Sequence, residues 1–227
     1  MRFIKQILGA LALSALTFTS LSAAAAPADP KNGVEFKTLA TAQATDSGKK
    51  IEVTEFFAYY CPHCHAFEPA LEAWIKKQGD NIVFKRVHVS RDENVLPQQK
   101  LFYALNAMGL LNDQMHNKIF DEMHVARNRL NRDEMVFDFI AKQGIDRQKF
   151  IDAYRGFGVA ASVRKTSTMM DAYQVDSWPM IAIDGRFITS PTMADEGLKT
   201  ASTEAQLHAE VLQVMDVLVA KAKAEKK

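Results

Sequence analysis

Cys61 and Cys64 are the only two cysteines of the chain, and Pro62-His63 separates them. Two thiols at this spacing can close into a disulfide and reopen, passing two electrons to or from another dithiol. The neighbouring residues suit that chemistry. Ile51 to Tyr60 is a β-branched and aromatic run that reads as a buried strand. Ala66 to Gln78 sets Phe67, Leu71, Trp74 and Ile75 at helical spacing. A strand running into C-x-x-C and then into a helix is the setting in which the motif is informative. It places Cys61 at the helix N-cap, where unpaired backbone N–H groups and the positive end of the helix dipole favour a thiolate. Pro62 suits the first helical position, because its missing N–H is not needed there. His63, in the same turn, can stabilise a thiolate as an imidazolium or as a ring N–H donor; a merely exposed histidine is the alternative. A reduced form stabilised in this way makes the disulfide a stronger oxidant, ~30 mV for each 1.4 kcal/mol or so. Cys64, one turn into the helix, is expected to be the more buried sulfur, pairing with Cys61 or resolving a mixed disulfide. His65 reads as a solvent-facing helix residue.

Two other uses of the cluster have to be weighed. Cys61, His63, Cys64 and His65 are all metal-capable, but a structural zinc site draws its second ligand pair from a distant segment. The sequence holds no second cluster at such spacing. Neighbouring positions on one helical turn also point in different directions, so the four cannot converge on one ion. A purely structural disulfide over so short a loop would restrict the unfolded chain little. Redox exchange without a metal is the stronger reading.

The surrounding elements must hold the dithiol. Val34 to Leu39 reads as an edge strand and Ala42 to Lys50 as a polar connection. Gly79-Asp80-Asn81 ends the helix after the motif, and Ile82 to Val89 is a second strand, so the unit should be a right-handed β-α-β crossover with parallel strands. From Leu96 to Tyr173 the pattern is helical, with stripes at Leu101, Leu105, Met108; Met115, Ile119, Met123; Met135, Phe139, Ile140; and Phe150, Ala153, Tyr154. Breaks fall at Gly109, Asn131, Gly144 and Gly156-Phe157-Gly158. These stripes read as helix core rather than as a cofactor box. Strands return at Met180–Ile183 and Phe187–Thr189, joined by the hairpin signal Asp184-Gly185. A last helix spans about Thr203 to Lys223, opened by Ser202-Thr203-Glu204, with Leu207, Val211, Val214 and Leu218 as its apolar stripe.

The N-terminus bears on compartment. Met1 to Lys5 is basic, Ile7 to Leu21 is apolar but interrupted by Ser and Thr, and Ser22 to Ala26 offers small residues for cleavage. This is a secretory signal peptide, cleaved after Ala24, rather than a membrane span. Export implies an oxidising compartment in which disulfides persist. Removing Arg2 and Lys5 with the leader takes 28 basic residues to 26 against 27 acidic, a balance of −1. No basic stripe suggests a nucleic-acid partner. Lys221 to Lys227 reads as a frayed, solvated helix end. The chain after the leader, about 200 residues, suits one domain with a large core.

Taken together, Glu55-Phe56-Phe57 before Cys61-Pro62-His63-Cys64, Phe67-Glu68 after it, Val87-His88-Val89, and Trp178-Pro179 followed by Met180 and Asp184-Gly185 resemble the DsbA family of periplasmic thiol-disulfide oxidoreductases. The resemblance implies an α/β, thioredoxin-like fold: a mixed sheet flanked by helices, spanning 25–227 after the 1–24 leader, with an all-helical insertion at about 95–173. The residues around Pro179 alone read as an ordinary trans proline opening a strand; the resemblance implies a cis Trp178-Pro179 bond that leaves backbone groups facing the dithiol. An extended substrate could pair with those groups by β-augmentation. Trp178 is larger than the residue usual before this proline in the family. Glu55 stands in a strand otherwise built to be buried, and the resemblance implies a basic partner for it on the next strand. By strand alternation Arg86 shares a face with Phe84 and His88 while Lys85 points away. Arg86 takes the place where the family has lysine, and an arginine stays charged. Glu68 can join this network; for both carboxylates a purely structural or solvated role is the alternative.

The implied activity is donation of the Cys61–Cys64 disulfide to reduced, newly exported proteins during oxidative folding. The implied reoxidant is a DsbB-like quinone-linked inner-membrane protein of a Gram-negative bacterium. No G-x-G-x-x-G fingerprint is present, and the only redox group expected is the disulfide itself, in a monomer. The alternatives are a disulfide isomerase or reductant, and a redox-linked peptide-binding (chaperone) module. Isomerases of this fold carry an N-terminal dimerisation module, for which Ala25 to Lys50 leaves no room.

Overall fold

The structure, a computed structural model, describes residues 29–90, 92–196 and 202–226. The leader expected at 1–24 lies outside the described residues. Strand β2 (Ile51–Phe57) is buried at every position and is an interior strand of a five-stranded sheet, as its continuous apolar and aromatic character demands. It runs parallel to β3 (Ile82–His88), with Glu55 opposite Arg86. The crossover between them is helix α1 (Pro62–Gln78), as a parallel pair requires. On its other edge β2 pairs antiparallel with β4 (Met180–Ile183), which continues antiparallel into β5 (Phe187–Thr189). The two-residue β1 (Lys37–Thr38) closes the edge, giving the order β1-β5-β4-β2-β3.

Strand β1 is shorter than the run Val34 to Leu39 suggests. The backbone before it curls instead: Gly33 N–H donates to the Phe36 carbonyl at 2.7 Å and Val34 N–H to Lys31 at 3.1 Å. These local bonds consume the groups a longer strand would need. Strand β2 likewise stops at Phe57, because Cys61 N–H turns back to the Ala58 carbonyl at 3.0 Å. The β4–β5 hairpin uses Asp184 at φ 51° and Gly185 at φ 66°, the positive pair that a two-residue primed turn needs. Gly185 is obligatory for a second reason: a Cβ there would lie 2.1 Å from the Gln43 carbonyl oxygen.

Among the described residues, five α-helices stand between β3 and β4: α2 (Leu96–Ala107), α3 (Asp113–His124), α4 (Asp133–Lys142), α5 (Arg147–Arg155) and α6 (Phe157–Ala172). A short helix, α7 (Pro191–Glu196), follows the hairpin and has no counterpart in the periodicity; six residues are too few to show one. Helix α8 (Glu204–Glu225) opens on a capping box in which Thr203 and Gln206 satisfy each other's backbone N–H groups. Its C-terminal end is not a free solvated tail: Lys226 Nζ reaches Asp184 Oδ1 at 2.7 Å and the Lys50 carbonyl at 2.8 Å.

Alternation along β2 sorts its side chains among three cores. Ile51 and Val53 pack with Phe67, Leu71 and Trp74 of α1 and with Val211, Val214 and Leu218 of α8. Phe56 faces the opposite side with Val87, Val89 and Tyr173. Phe57 enters the core of the helical insertion, edge-on to Phe102, Tyr59 and His116; burying one such ring is worth about 2–3 kcal/mol. Helices α1 and α8 are also pinned by polar bonds. Asp216 accepts from Trp74 Nε1 at 2.8 Å, Gln78 Nε2 at 2.6 Å and Lys77 Nζ at 3.1 Å. Among the described residues no helix is long and apolar enough to cross a membrane.

Candidate active site

Cys61 has extended backbone angles at the N-cap of α1, and its sulfur accepts the Cys64 N–H at 3.4 Å. Pro62 follows at the first helical position. Both sulfurs are free thiols here, Cys61 6% and Cys64 0% exposed, so the deeper sulfur is the one a turn inside the helix. Their acidities are opposed. The Cys64 thiol, hydrogen-bonded to Cys61, brings Cys61 from 9.0 down to about 6 against the effect of burial. The backbone N–H groups of Cys64 and His63 and the His63 ring add to it. Burial, and then the Cys61 sulfur itself, push Cys64 well above its ordinary value. One sulfur is a thiolate at neutral pH and its partner holds a proton.

The Trp178-Pro179 bond is cis, so the reading of an ordinary trans proline drawn from the residues alone does not hold. The Cys61 sulfur lies 3.5 Å from the Trp178 carbonyl oxygen, and the Trp178 ring stands edge-on to Tyr60 at 6.1 Å. Cavities flank the pair on either side of Trp178. A larger one of about 920 Å³ runs past Tyr60, His124, Arg127 and Arg129, and a smaller one of about 260 Å³ lies beside His63, Pro179, Pro191 and Leu207.

Beneath the dithiol the charged residues meet as strand register foretells. Arg86 Nε is 3.2 Å from Glu55 Oε2, while Lys85 on the opposite face pairs with Glu52 at 2.8 Å. Arg86 Nη2 also bonds Glu68 Oε1. One guanidinium serves two buried carboxylates, and they divide the charge. Burial, reinforced by the Glu68 charge and opposed by Arg86, pushes Glu55 up to about 8. Its Oε1 finds no hydrogen-bond donor among the described residues. Burial would raise Glu68 too, but His116 and Arg86 outweigh it and hold it below the ordinary value. At neutral pH, then, Glu68 is the anion and Glu55 is mostly protonated.

His65 is not the solvent-facing residue the helical position suggests. It is half-buried, its ring stacked on His124 at 4.8 Å and 14° and on Phe120 at 5.4 Å, with Nε2 3.5 Å from Asp121. Helix α3 presses these rings against the start of α1, and His124 Nε2 bonds the Tyr59 carbonyl at 2.8 Å. His116, one turn before Phe120, places Nδ1 2.9 Å from the Tyr59 hydroxyl and Nε2 3.4 Å from Glu68. Burial holds His116 below its ordinary value, so a neutral ring accepts from Tyr59 through Nδ1. Sequence reasoning passed over Tyr59 and His116; a polar signal was present, a histidine at helical spacing from Ile119 and Phe120. It also passed over Glu204, which lies 2.7 Å from His63 Nδ1 across 141 positions of chain. No local pattern announces that contact. Among the described residues no three metal-capable side chains are grouped to hold an ion.

Comparison with known proteins agrees with this geometry. Residues 52–199 match the family model of the DSBA-like thioredoxin domain. The Burkholderia cepacia thiol:disulfide interchange protein DsbA is 38% identical over 216 residues, covering 95% of this chain and 96% of that one. Its Bordetella pertussis namesake is 36% identical over 80% of this chain and 90% of the other. The crystal structure of Pseudomonas aeruginosa DsbA, 28% identical, superposes with a TM-score of 0.75 over 85% of this chain and 94% of that one. The oxidoreductase NmDsbA1 of Neisseria meningitidis, 24% identical with a TM-score of 0.69, shares the fold. The chain thus belongs to the DsbA family of the thioredoxin superfamily and is a thiol-disulfide oxidoreductase of oxidative protein folding.

Proposed function

We propose that the oxidised protein gives up its Cys61–Cys64 disulfide through a mixed disulfide at Cys61. The unequal acidity of the two sulfurs carries this reading. A substrate thiolate attacks the Cys61 sulfur, the Cys61–Cys64 bond breaks, and Cys64 leaves with the electron pair and takes a proton. A second substrate thiolate then attacks the substrate sulfur of the mixed disulfide. Cys61 departs as a stable thiolate, which is a good leaving group. Two electrons pass to the protein and one disulfide to the substrate. His63 favours the Cys61 thiolate, Pro62 opens the helix without a wasted N–H, and Trp178-Pro179 presents the carbonyl edge along which an extended substrate lies. Glu55, Arg86 and Glu68 tune the field beneath the sulfurs.

The leader at 1–24 takes the protein to the periplasm, where 25–227 acts as one thioredoxin-like unit and a monomer. Its substrates are reduced, cysteine-containing exported proteins. Reoxidation falls to a quinone-linked membrane protein of the DsbB kind, and the disulfide is the only redox group required.

Mixing the oxidised protein with a reduced two-cysteine peptide tests the assignment. The wild type should oxidise the peptide one for one, Cys61→Ser should not, and Cys64→Ser, charged with a small disulfide, should accumulate the mixed species. Accumulation on Cys61→Ser instead would reverse the roles of the two sulfurs.

A further inference from the structure

His63 is a surface residue with a partner from far along the chain. Its Nδ1 sits 2.7 Å from Glu204 Oε1, although the two side chains are 71% and 46% exposed. An exposed ion pair contributes little to folding, so stability does not explain the arrangement; what distinguishes it is how firmly both ends are placed. His63 lies in the first turn of α1, immediately after Pro62. Glu204 is the first residue of α8, directly after the Thr203 cap and inside its capping box. The two helices are fixed to one another by Trp74 and Gln78 on Asp216, and by Phe67 against His208 at 5.0 Å. Helix α8 therefore delivers a carboxylate to the ring nitrogen of the residue that stands between the two cysteines.

We propose that Glu204 is a positioning residue of the redox centre, holding the His63 ring from α8 and so setting how strongly His63 favours the Cys61 thiolate. This rests on the reading of His63 given above. The titratable groups around the ring all bear on the sign. Glu204 hydrogen-bonds His63 and raises its pKa against the effect of its partial burial, with the Cys61 thiolate acting in the same direction. His208, one turn along α8 with Nε2 3.9 Å from Glu204, is held low by burial and does not compete as a cation. Cys64 keeps its proton. The remaining walls of the small cavity beside His63, including Trp178, Pro179 and Leu207, carry no charge. A better-protonated imidazole stabilises the reduced form, so Glu204 makes the disulfide more oxidising. Direct repulsion between Glu204 and the Cys61 thiolate acts in the opposite sense and is the weaker term while His63 stands between them.

Glu204→Gln and Glu204→Ala, each also combined with His63→Ala, separate these effects. The readouts are the His63 titration by nuclear magnetic resonance and the dithiol–disulfide equilibrium against glutathione. Removing the carboxylate should lower the His63 midpoint by about half a unit and shift the equilibrium about two- to five-fold toward retained disulfide, the scale of one exposed ion pair. In the His63→Ala background that shift should vanish or change sign, leaving only the direct repulsion. An unchanged His63 midpoint in Glu204→Gln would overturn the proposal, as would an equally large shift of the same sign without His63. If His63→Ala alone fails to raise the Cys61 pKa, the role given to His63 falls, whereas the link between Glu204 and the ring is still decided by the His63 titration.

Discussion

Replacing Cys64 tests where the acidity of Cys61 comes from. The structure makes the Cys64 thiol, hydrogen-bonded to Cys61, the largest influence bringing that sulfur from 9.0 to about 6. A hydrogen bond to a charged acceptor is worth about 1.5–3 kcal/mol, which at about 1.4 kcal/mol per unit is roughly one to two pKa units. Cys64→Ala removes the side-chain donor but leaves the backbone N–H that reaches the sulfur at 3.4 Å. Cys61 should then titrate at about 7–8. Cys64→Ser keeps a hydroxyl donor on the same Cβ and should stay within about half a unit of the reduced wild type. The ultraviolet absorbance of the thiolate, followed against pH, reads all three proteins, and the pH profile of alkylation checks it. An alanine variant that titrates with the wild type would refute the reasoning and assign the acidity to the helix end and His63. A serine variant that follows alanine would show that the sulfur, rather than a donor at that place, matters.

Three further outcomes follow from other parts of the molecule. Glu55 keeps a proton up to about 8 in the folded state against an ordinary 4.5, so the unfolded chain loses its proton first and stability falls as pH rises across that window. Glu55→Gln should remove the slope and add about 2–3 kcal/mol at neutral pH; urea midpoints with the wild-type slope would disprove it. Gly185→Ala forces an L side chain to φ 66° and a Cβ onto the Gln43 carbonyl, which should cost more than about 1 kcal/mol, read as a lowered Tm; an unchanged Tm would mean that the 40s segment yields freely. Asp216→Ala strands the Trp74 N–H and releases Gln78 and Lys77, a loss of about 1–3 kcal/mol in denaturant unfolding, and an unchanged midpoint would show that the apolar seam between α1 and α8 needs no polar pin.

What the sequence disclosed follows the range of the forces involved. The buried strand, the cap at Cys61 and the helix after it are local, written in side-chain period and in the choice of Pro62. That Glu55 has a basic partner on the next strand came with family resemblance, and strict strand alternation then chose Arg86 over Lys85. The cis bond before Pro179 was not readable from its neighbours and came only with family resemblance. His65 looked solvent-facing because nothing in its own helix reveals that α3 brings His124 and Phe120 onto its ring. Glu204 was invisible for the same reason, as was Tyr59 on His116. These contacts are made by packing between elements distant in the chain, and the sequence carries no local mark of them.

The three cores have a consequence for how such a protein can change over time. Both cysteines stand at the start of α1, Cys61 as its cap and Cys64 in its first turn, on the helix that crosses between β2 and β3. Yet their side chains belong to the core formed with the helices between β3 and β4, the core of Phe120, Phe57 and Leu101. The insertion is therefore not a detachable module hung on a smaller ancestor-like frame. A chain lacking residues 96–172 would keep strands for a sheet but would open Cys64 to water, and with that the difference between the two sulfurs would shrink. Drift in the insertion is constrained from within by the chemistry at its border, and the far side of the sheet is tied to the same place, because Trp178, whose carbonyl lies 3.5 Å from the Cys61 sulfur, packs against the core of Tyr173 and Val89.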